Sequence, residues 1–318
     1  MVDERRLQAR LILVLWAVLA LWLGYRFWWS NRRWRLIICA VGQGEAILLT
    51  RSSTQILIDG GPSGARLLAC LRRHLPFWDR TIELVINTHP EEDHFRGLIT
   101  LLDYYRVNNY FHNGLAKSKS ASFQQLKNKL IEHKVCSRKL AAGDRFRISL
   151  MDFKVLWPEP SAFSGQNLLP SKFWPGRPNC YQPQLLSMAD SVNNYSVVLQ
   201  LSYGRFRALL TGDIEAEVER LLVWRQQIKP VTMLKLAHHG SATSTTTELL
   251  AAAQPQLALI SVGAKNRFGH PSPVVLSRLK ARKIPWRRTD QQGDLELVIS
   301  STSWSEVGQK SWPVGTNF

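Results

Sequence analysis

The segment His89-Pro90-Glu91-Glu92-Asp93-His94 places two imidazoles and three carboxylates within six residues. Acidic side chains crowded this closely repel one another and lose hydration unless a cation sits among them. Neutral histidine and carboxylate are the ligand types that suit zinc, manganese or iron. The bland alternative is a solvated acidic turn with two incidental histidines. Three further clusters weigh against it. Leu209-Leu210-Thr211-Gly212-Asp213 ends an apolar run in a carboxylate, and Leu234-Lys235-Leu236-Ala237-His238-His239-Gly240-Ser241 ends one in two histidines. Asn266-Arg267-Phe268-Gly269-His270-Pro271 forms a third polar loop. Singly, Asp213 reads equally well as a helix N-cap, and His238, His239 and His270 as ordinary loop residues. Four such clusters, each following an apolar strand-like run, argue instead for one assembled site.

The elements that must position these residues follow from periodicity. Leu84-Val85-Ile86 reads as a short buried strand that opens into the loop carrying His89. Strand-like runs also occur near 36–41, 46–50, 55–58, 146–156, 196–201, 206–210, 232–236, 257–262 and 294–299. Tyr203-Gly204 marks a hairpin turn. Between the early runs, Leu67, Leu68, Leu71 and Leu75 recur at helical spacing with Arg66, Arg72 and Arg73 off that face, an amphipathic helix. Helices are also expected near 97–106, 121–134, 215–226, 245–253 and 273–283. A stretch rich in Pro, Ser, Asn and Gly at 158–190 reads as a long loop. Two groups of strands with helices between them imply sheets packed face to face and covered by helices, an α/β fold.

The chain has 318 residues, 45% of them hydrophobic, enough for a substantial core. Lysine and arginine total 41 against 24 acidic residues, a net charge of +17 that favours polyanions or an anionic membrane surface. Cys39, Cys70, Cys136 and Cys180 form no C-x-x-C pair, so spacing signals neither a zinc finger nor a disulfide framework. Any metal must rest on histidine and carboxylate. From Leu11 to Leu23 the chain is wholly apolar, and Arg26 is followed by Phe27, Trp28 and Trp29. Snorkelling of Arg26 and an interfacial aromatic belt extend this segment toward the length of a membrane span. A cleaved signal peptide is the rival, but bulky Trp and Tyr occupy the region where a small-x-small cleavage site would lie. The expected organisation is a basic flank at 1–10, a single-pass membrane anchor at 11–29, a linker at 30–35 and a folded domain at 36–318. Arginines at both ends of the anchor leave its orientation open.

Several motifs then occur in a fixed order. They are Val41-Gly42-Gln43-Gly44-Glu45-Ala46, Ile56-Leu57-Ile58-Asp59-Gly60-Gly61 and the cluster at 89–94. Asn194-Tyr195-Ser196, Thr211-Gly212-Asp213, His238-His239-Gly240-Ser241, Gly269-His270-Pro271 and Thr289-Asp290 follow. Over roughly residues 35–300 the chain resembles the metallo-β-lactamase superfamily, in particular the hydrolase domain of the ComEC family of competence-type DNA-uptake channels. The family's multi-helix channel has no counterpart in this sequence, which reads as a last membrane helix followed by the hydrolase domain.

The resemblance implies a metallo-β-lactamase αββα sandwich preceded by one N-terminal membrane helix. It implies two divalent metal ions, zinc or manganese, held by His89, Glu91, Asp93 and His94. Asp213 would bridge them and one of His238 and His239 would complete the set, with His238 favoured. Asp59 and Asn194 would support the ligands. Paired cations activate a shared water and stabilise both oxygens of an in-line displacement. Asp93 would orient that water, and His270 and Arg267 would contact the phosphate. Ala40, Glu45, Glu91 and Arg96 depart from the residues usual in the family. A membrane-anchored nuclease or phosphodiesterase acting on DNA during uptake fits best, with the membrane and a separate DNA-channel protein as further partners. Two alternatives are a hydrolase of a small phosphoester or acyl substrate, and a non-catalytic membrane-tethered DNA-binding module.

Overall fold

In the computed structural model the described residues are 33–114, 120–159, 191–307 and 311–313, with part of 8–24. The first half of the chain runs β1 (Trp34–Ile38), β2 (Ile47–Arg51), β3 (Thr54–Ile58), α1 (Gly64–His74), β4 (Thr81–Ile82) and β5 (Leu84–Asn87). It continues with α2 (Glu92–Tyr104), β6 (Arg106–Val107), β7 (Asn109–His112), α3 (Ala121–Glu132) and β8 (Cys136–Lys139). The second half runs β9 (Arg145–Ile148), β10 (Met151–Trp157), β11 (Val198–Tyr203), β12 (Phe206–Leu210), α4 (Ala216–Trp224) and β13 (Met233–Lys235). Next come α5 (Thr247–Ala253), β14 (Leu257–Ile260), α6 (Pro273–Ala281), β15 (Trp286–Arg288) and α7 (Thr289–Gln292). The chain then returns through β16 (Leu295–Ile299), β17 (Ser303–Glu306) and β18 (Ser311–Pro313).

One sheet has the order β18-β17-β16-β1-β2-β3-β5-β7-β8 and the other β15-β14-β13-β12-β11-β10-β9. Strand alternation explains the layers. Leu36, Ile38, Leu49 and Ile58 of the first sheet meet Phe153, Leu199, Leu210 and Leu259 of the second in one core. Ile37, Leu48, Leu57 and Val85 point the opposite way, onto Leu67 and Leu71 of α1 and Phe95 and Leu98 of α2. Leu209, Leu234 and Ile260 likewise meet Leu222, Leu249 and Leu279 on the outer face of the second sheet. The result is helix, sheet, sheet, helix, as expected. Strands buried on both faces read as continuous apolar runs, which made them legible.

Parallel pairing brings the chemistry to one edge. β3 and β5 pair in parallel, as do β12, β13 and β14. Their C-terminal ends therefore release Asp59, His89, Asp213, His239 and Ser261 on the same side, where open α/β sheets bind their ligands.

The structure departs from the sequence reading in several places. α2 begins at Glu92 rather than near 97, because Glu92 and Asp93 sit in a first turn whose positive dipole favours carboxylates. Gly97 allows this, since a Cβ there would lie 2.0 Å from the Gly60 carbonyl oxygen. β8 and β15 are polar segments made into strands by parallel pairing with β7 and β14. Cys39 and Cys70 form a disulfide, with Cα atoms 5.8 Å apart across 31 residues of sequence. Packing of α1 on β1 creates that pair, which cysteine spacing does not disclose. Closing a loop of that length is worth ~3–4 kcal/mol on the chain-entropy model.

Within 8–24 the described residues are helical, and the side chains of Leu13, Leu15, Trp16 and Leu21 are exposed. No helix among the described residues is long and apolar enough to cross a membrane. The rest of the anchor expected at 11–29 lies outside them, as does most of the 158–190 loop.

Candidate metal centre

Asp93, His94, Asp213 and His239 each present one ligand atom, all within 4.8 Å of one another. Asp93 and His94 come from the first turn of α2. Asp213 follows β12 through Gly212, whose φ of +52° keeps the chain against Ser196. His239 lies in a tight turn after β13 (Ala237–Gly240) where both histidines are left-handed, φ +49° at His238 and +54° at His239. Two consecutive non-glycine residues in that region store strain that the surrounding structure must hold, a feature typical of functional sites.

His94 is the pivot. Its Nδ1 lies 2.7 Å from Asp59 Oδ2 and its Nε2 lies 3.2 Å from Asp213 Oδ2. Asp59 is itself fixed by the Thr88 amide at 2.7 Å, the Thr88 hydroxyl at 2.7 Å and Asn87 Nδ2 at 2.9 Å. A carboxylate on Nδ1 keeps the proton there and leaves Nε2 as a lone pair. That lone pair then faces the lone pairs of Asp213 Oδ2, which is repulsive unless a proton or a metal ion lies between them. Burial opposes a proton on His94, but Asp213, Asp59 and Asp93 together hold its pKa well above the ordinary value. His239 repeats the arrangement: Nδ1 lies 3.0 Å from the Ser261 carbonyl, and Nε2 lies 3.3 Å from Asp213 Oδ2 and 3.4 Å from Asp93 Oδ2. Burial works against its charge too, and is outweighed by Asp213 and Asp93. Burial likewise opposes the charge of Asp93, which His94 and His239 nonetheless hold down at a pKa of about 2.

The Nε2 atoms of His89, His94 and His239 and Oδ1 of Asp213 are buried and make no hydrogen bond. Such orphaned groups are costly. Those of His94 and His239 both face Asp213 Oδ2 within the cluster that Asp93 completes, and this donor set is that of a divalent metal site. His89 is fully buried, with Nδ1 3.0 Å from Thr88 Oγ1 and 3.2 Å from Ser196 Oγ. Its ring centroid lies 4.1 Å from that of His94, and burial and His94 push its pKa down to about 4.

Other expected residues stand differently. His238, favoured over its neighbour from the sequence, is not among the four converging ligand atoms; its Nδ1 lies 3.6 Å from Glu215 Oε1. The left-handed turn sends the two rings apart, and His239 is the one delivered to Asp213. Glu91, outside the four-residue cluster but bordering it, is the N-cap of α2, its pKa raised by partial burial and by the neighbouring Asp93. Asn194 binds no expected ligand: its Oδ1 accepts from the Glu215 amide at 2.9 Å. The supporting contact comes two residues later, from Ser196, whose Oγ also accepts from the Asp213 amide at 3.0 Å. His270 stands beyond His238, with ring centroids 5.8 Å apart. Arg96 is exposed and lies 3.6 Å from Glu92, away from the cluster. Ala40, where the family usually has a carboxylate, donates its amide to Asp294 Oδ1 at 2.8 Å.

Lys235 was not singled out from the sequence as a site residue. Its ammonium is fully buried, paired with Glu45, and 3.9 Å from Asp213 Oδ1. Burial lowers its pKa to about 7. Glu45 thus keeps a carboxylate behind Asp213 through Lys235. A lysine at the end of an apolar strand, two residues before the histidine turn, was the available signal.

No family model matches the chain. It is 29% identical over 219 residues to ComE operon protein 3 of Bacillus subtilis, covering 68% of this chain and 24% of that protein. It is 26% identical over 271 residues to Recombination protein 2 of Haemophilus influenzae, covering 84% and 29%. The chain therefore spans between about a quarter and a third of the length of these relatives. Among solved structures it superposes on the metallo-β-lactamase fold protein YhfI of Bacillus subtilis with a TM-score of 0.51 and 9% identity, covering 83% of this chain and 99% of that one. Fold, motif order and the competence relatives agree: the chain carries a ComEC-like domain with the metallo-β-lactamase fold.

Proposed function

We propose that the domain is a metal-dependent phosphodiesterase that cuts DNA in competence-type uptake. The observation that carries this is the convergence of Asp93, His94, Asp213 and His239, with the orphaned Nε2 atoms of His94 and His239 both facing Asp213 Oδ2. Asp93, His94, Asp213 and His239 would hold one divalent ion, zinc or manganese, and His89 and Glu91 with Asp213 a second. Bound there, divalent ions supply Lewis-acid polarisation of a phosphoryl oxygen and activation of water at neutral pH.

The chain's own residues supply the rest. Asp59 keeps the proton of His94 on Nδ1, and Ser261 does the same for His239. Asp93 orients the water for in-line attack. His270, its pKa lowered by burial and by the neighbouring histidines, is a neutral hydrogen-bonding group for a phosphate oxygen. Arg267 adds charge. The net charge of +17 and the competence relatives support DNA as the substrate. The exposed apolar side chains in 12–21 support attachment to a membrane through 11–29.

The test is metal content measured together with DNA cleavage, with Asp213→Ala as control. About two metals per chain and cleavage that disappears in the control are expected. Metal without DNA cleavage would move the assignment to a smaller phosphoester or acyl substrate. A metal-free native protein that still bound DNA in a salt-sensitive way would overturn catalysis and leave a binding module.

A further inference from the structure

The metal centre lies at the inner end of a row of rings. His239 is 6.3 Å from His238, His238 is 5.8 Å from His270, and His270 is 5.7 Å from Phe268, centroid to centroid. Burial falls along the row: His239 is buried, His238 and His270 are intermediate, and Phe268 is 58% exposed. Phe268 stacks on His270 with planes only 12° apart, and the Arg267 guanidinium lies 5.3 Å from its ring.

The loop that presents Phe268 is held rigid. Asn266 donates to the carbonyls of Gly263 at 2.8 Å and His270 at 2.9 Å, and accepts from the His270 amide at 2.9 Å. One side chain thus ties both ends of the loop around Phe268. The base of the loop is packed just as closely, since a Cβ on Gly263 would lie 2.7 Å from the Gln43 amide nitrogen. An aromatic ring fixed in water on a pinned loop, backed by an imidazole and flanked by a guanidinium, matches the platforms on which single-stranded nucleic acids stack their bases. A base in a duplex offers no free face, and a small phosphoester without a base has nothing to lay on the ring.

We infer that Phe268 is a base-stacking platform, and that the substrate enters as single-stranded nucleic acid with one base on Phe268 and the adjoining backbone led by Arg267 and His270 toward the metal centre. This rests on reading that centre as a phosphodiesterase site. The alternative, that the exposed ring anchors a partner protein, requires no preference for a nucleobase.

The experiment uses the full chain, metal-loaded, with a single-stranded oligodeoxynucleotide carrying 2-aminopurine and an abasic oligonucleotide of equal length. Binding to the wild type should quench 2-aminopurine fluorescence. Phe268→Ala should abolish the quench and weaken binding about tenfold, the order expected for one base–aromatic stack, while Phe268→Trp restores both. The abasic strand should bind wild type and Phe268→Ala equally. The platform is overturned if wild type holds the abasic strand as tightly as the normal one, which needs no variant, or if Phe268→Ala quenches unchanged. Cleavage followed in the same samples separates the two readings. A strand that stacks but is not cut overturns the phosphodiesterase and keeps the platform. A strand cut with the same KM by wild type and Phe268→Ala does the reverse.

Discussion

Asp59 Oδ2 stands 2.7 Å from His94 Nδ1, and this contact decides which nitrogen of His94 faces Asp213. Asp59 occupies a left-handed backbone position, φ +58°, which asparagine tolerates well. Asp59→Asn is therefore a near-isosteric way to remove the charge without straining the chain. Losing a supporting carboxylate of this kind typically costs about 10–100-fold in metal affinity. A chelator-competition titration should show a loss of that size with unchanged circular dichroism. Equal metal affinity would mean that Asp59 serves the fold alone.

The two adjacent histidines should separate cleanly. His239→Asn and His238→Asn both suit left-handed positions, so differences between them report ligation rather than backbone strain. His239→Asn removes an orphaned Nε2 facing two carboxylates and should lower metal affinity at least about 100-fold, roughly 2.7 kcal/mol. His238→Asn should change it by only a few-fold. The measurement is metal retained after dialysis against a graded chelator series. The reverse ranking would show that the metal draws His238 into the site.

That pair also marks where sequence reading stops. The strands were legible because two-sided burial turns them into apolar runs, and one assembled site was legible from clusters that each follow such a run, while its ligand set was implied by the family resemblance. Which of two neighbouring histidines reaches Asp213 depends on the left-handed turn at 238–239, and no residue there announces it. Ser196 was hidden for a related reason. Asn194, two positions earlier, is the more conspicuous polar group, but the helical turn at Val192–Tyr195 aims it at Glu215 instead. Lys235 read as one polar residue in an apolar strand; its role exists only because Glu45, 190 residues earlier by numbering, is buried against it.

Away from the metal centre, His74 at the end of α1 joins β1 to β16. Its ring lies 2.9 Å from Asp294 and 3.5 Å from Glu296, with Arg35 and Arg73 completing the cluster. Burial opposes charge on His74, but the two carboxylates raise its pKa above the ordinary 6.5. Burial also opposes charge on Asp294 and Glu296, yet the bonds from His74 and the arginines hold both at about 2. The raised histidine contributes stability that is complete below 6.5 and fades as pH rises through its folded pKa. The lowered carboxylates contribute stability that is complete above their ordinary 3.8 and 4.5 and is lost as pH falls toward 2. The wild-type advantage over His74→Gln in urea unfolding should therefore be largest near pH 5–6 and shrink on both sides. A pH-independent difference would remove the ion-pair account.

The buried pair of Lys235 and Glu45 should behave asymmetrically. Both side chains are fully shielded from water, so Lys235→Met strands a carboxylate in the core, a change that typically costs ~3–5 kcal/mol. Replacing both partners, as in Lys235→Met with Glu45→Leu, removes the unpaired charge and should recover most of that loss. Urea unfolding of the metal-free protein measures this part. Asp213 supplies the second part. Its Oδ1 is 3.9 Å from the Lys235 ammonium, so the double variant, although refolded, leaves the carboxylate free to rotate away from His94 and His239. Stability restored with metal affinity still reduced would identify the pair as a device that orients Asp213. Recovery of both together would make it a packing element with no bearing on the centre.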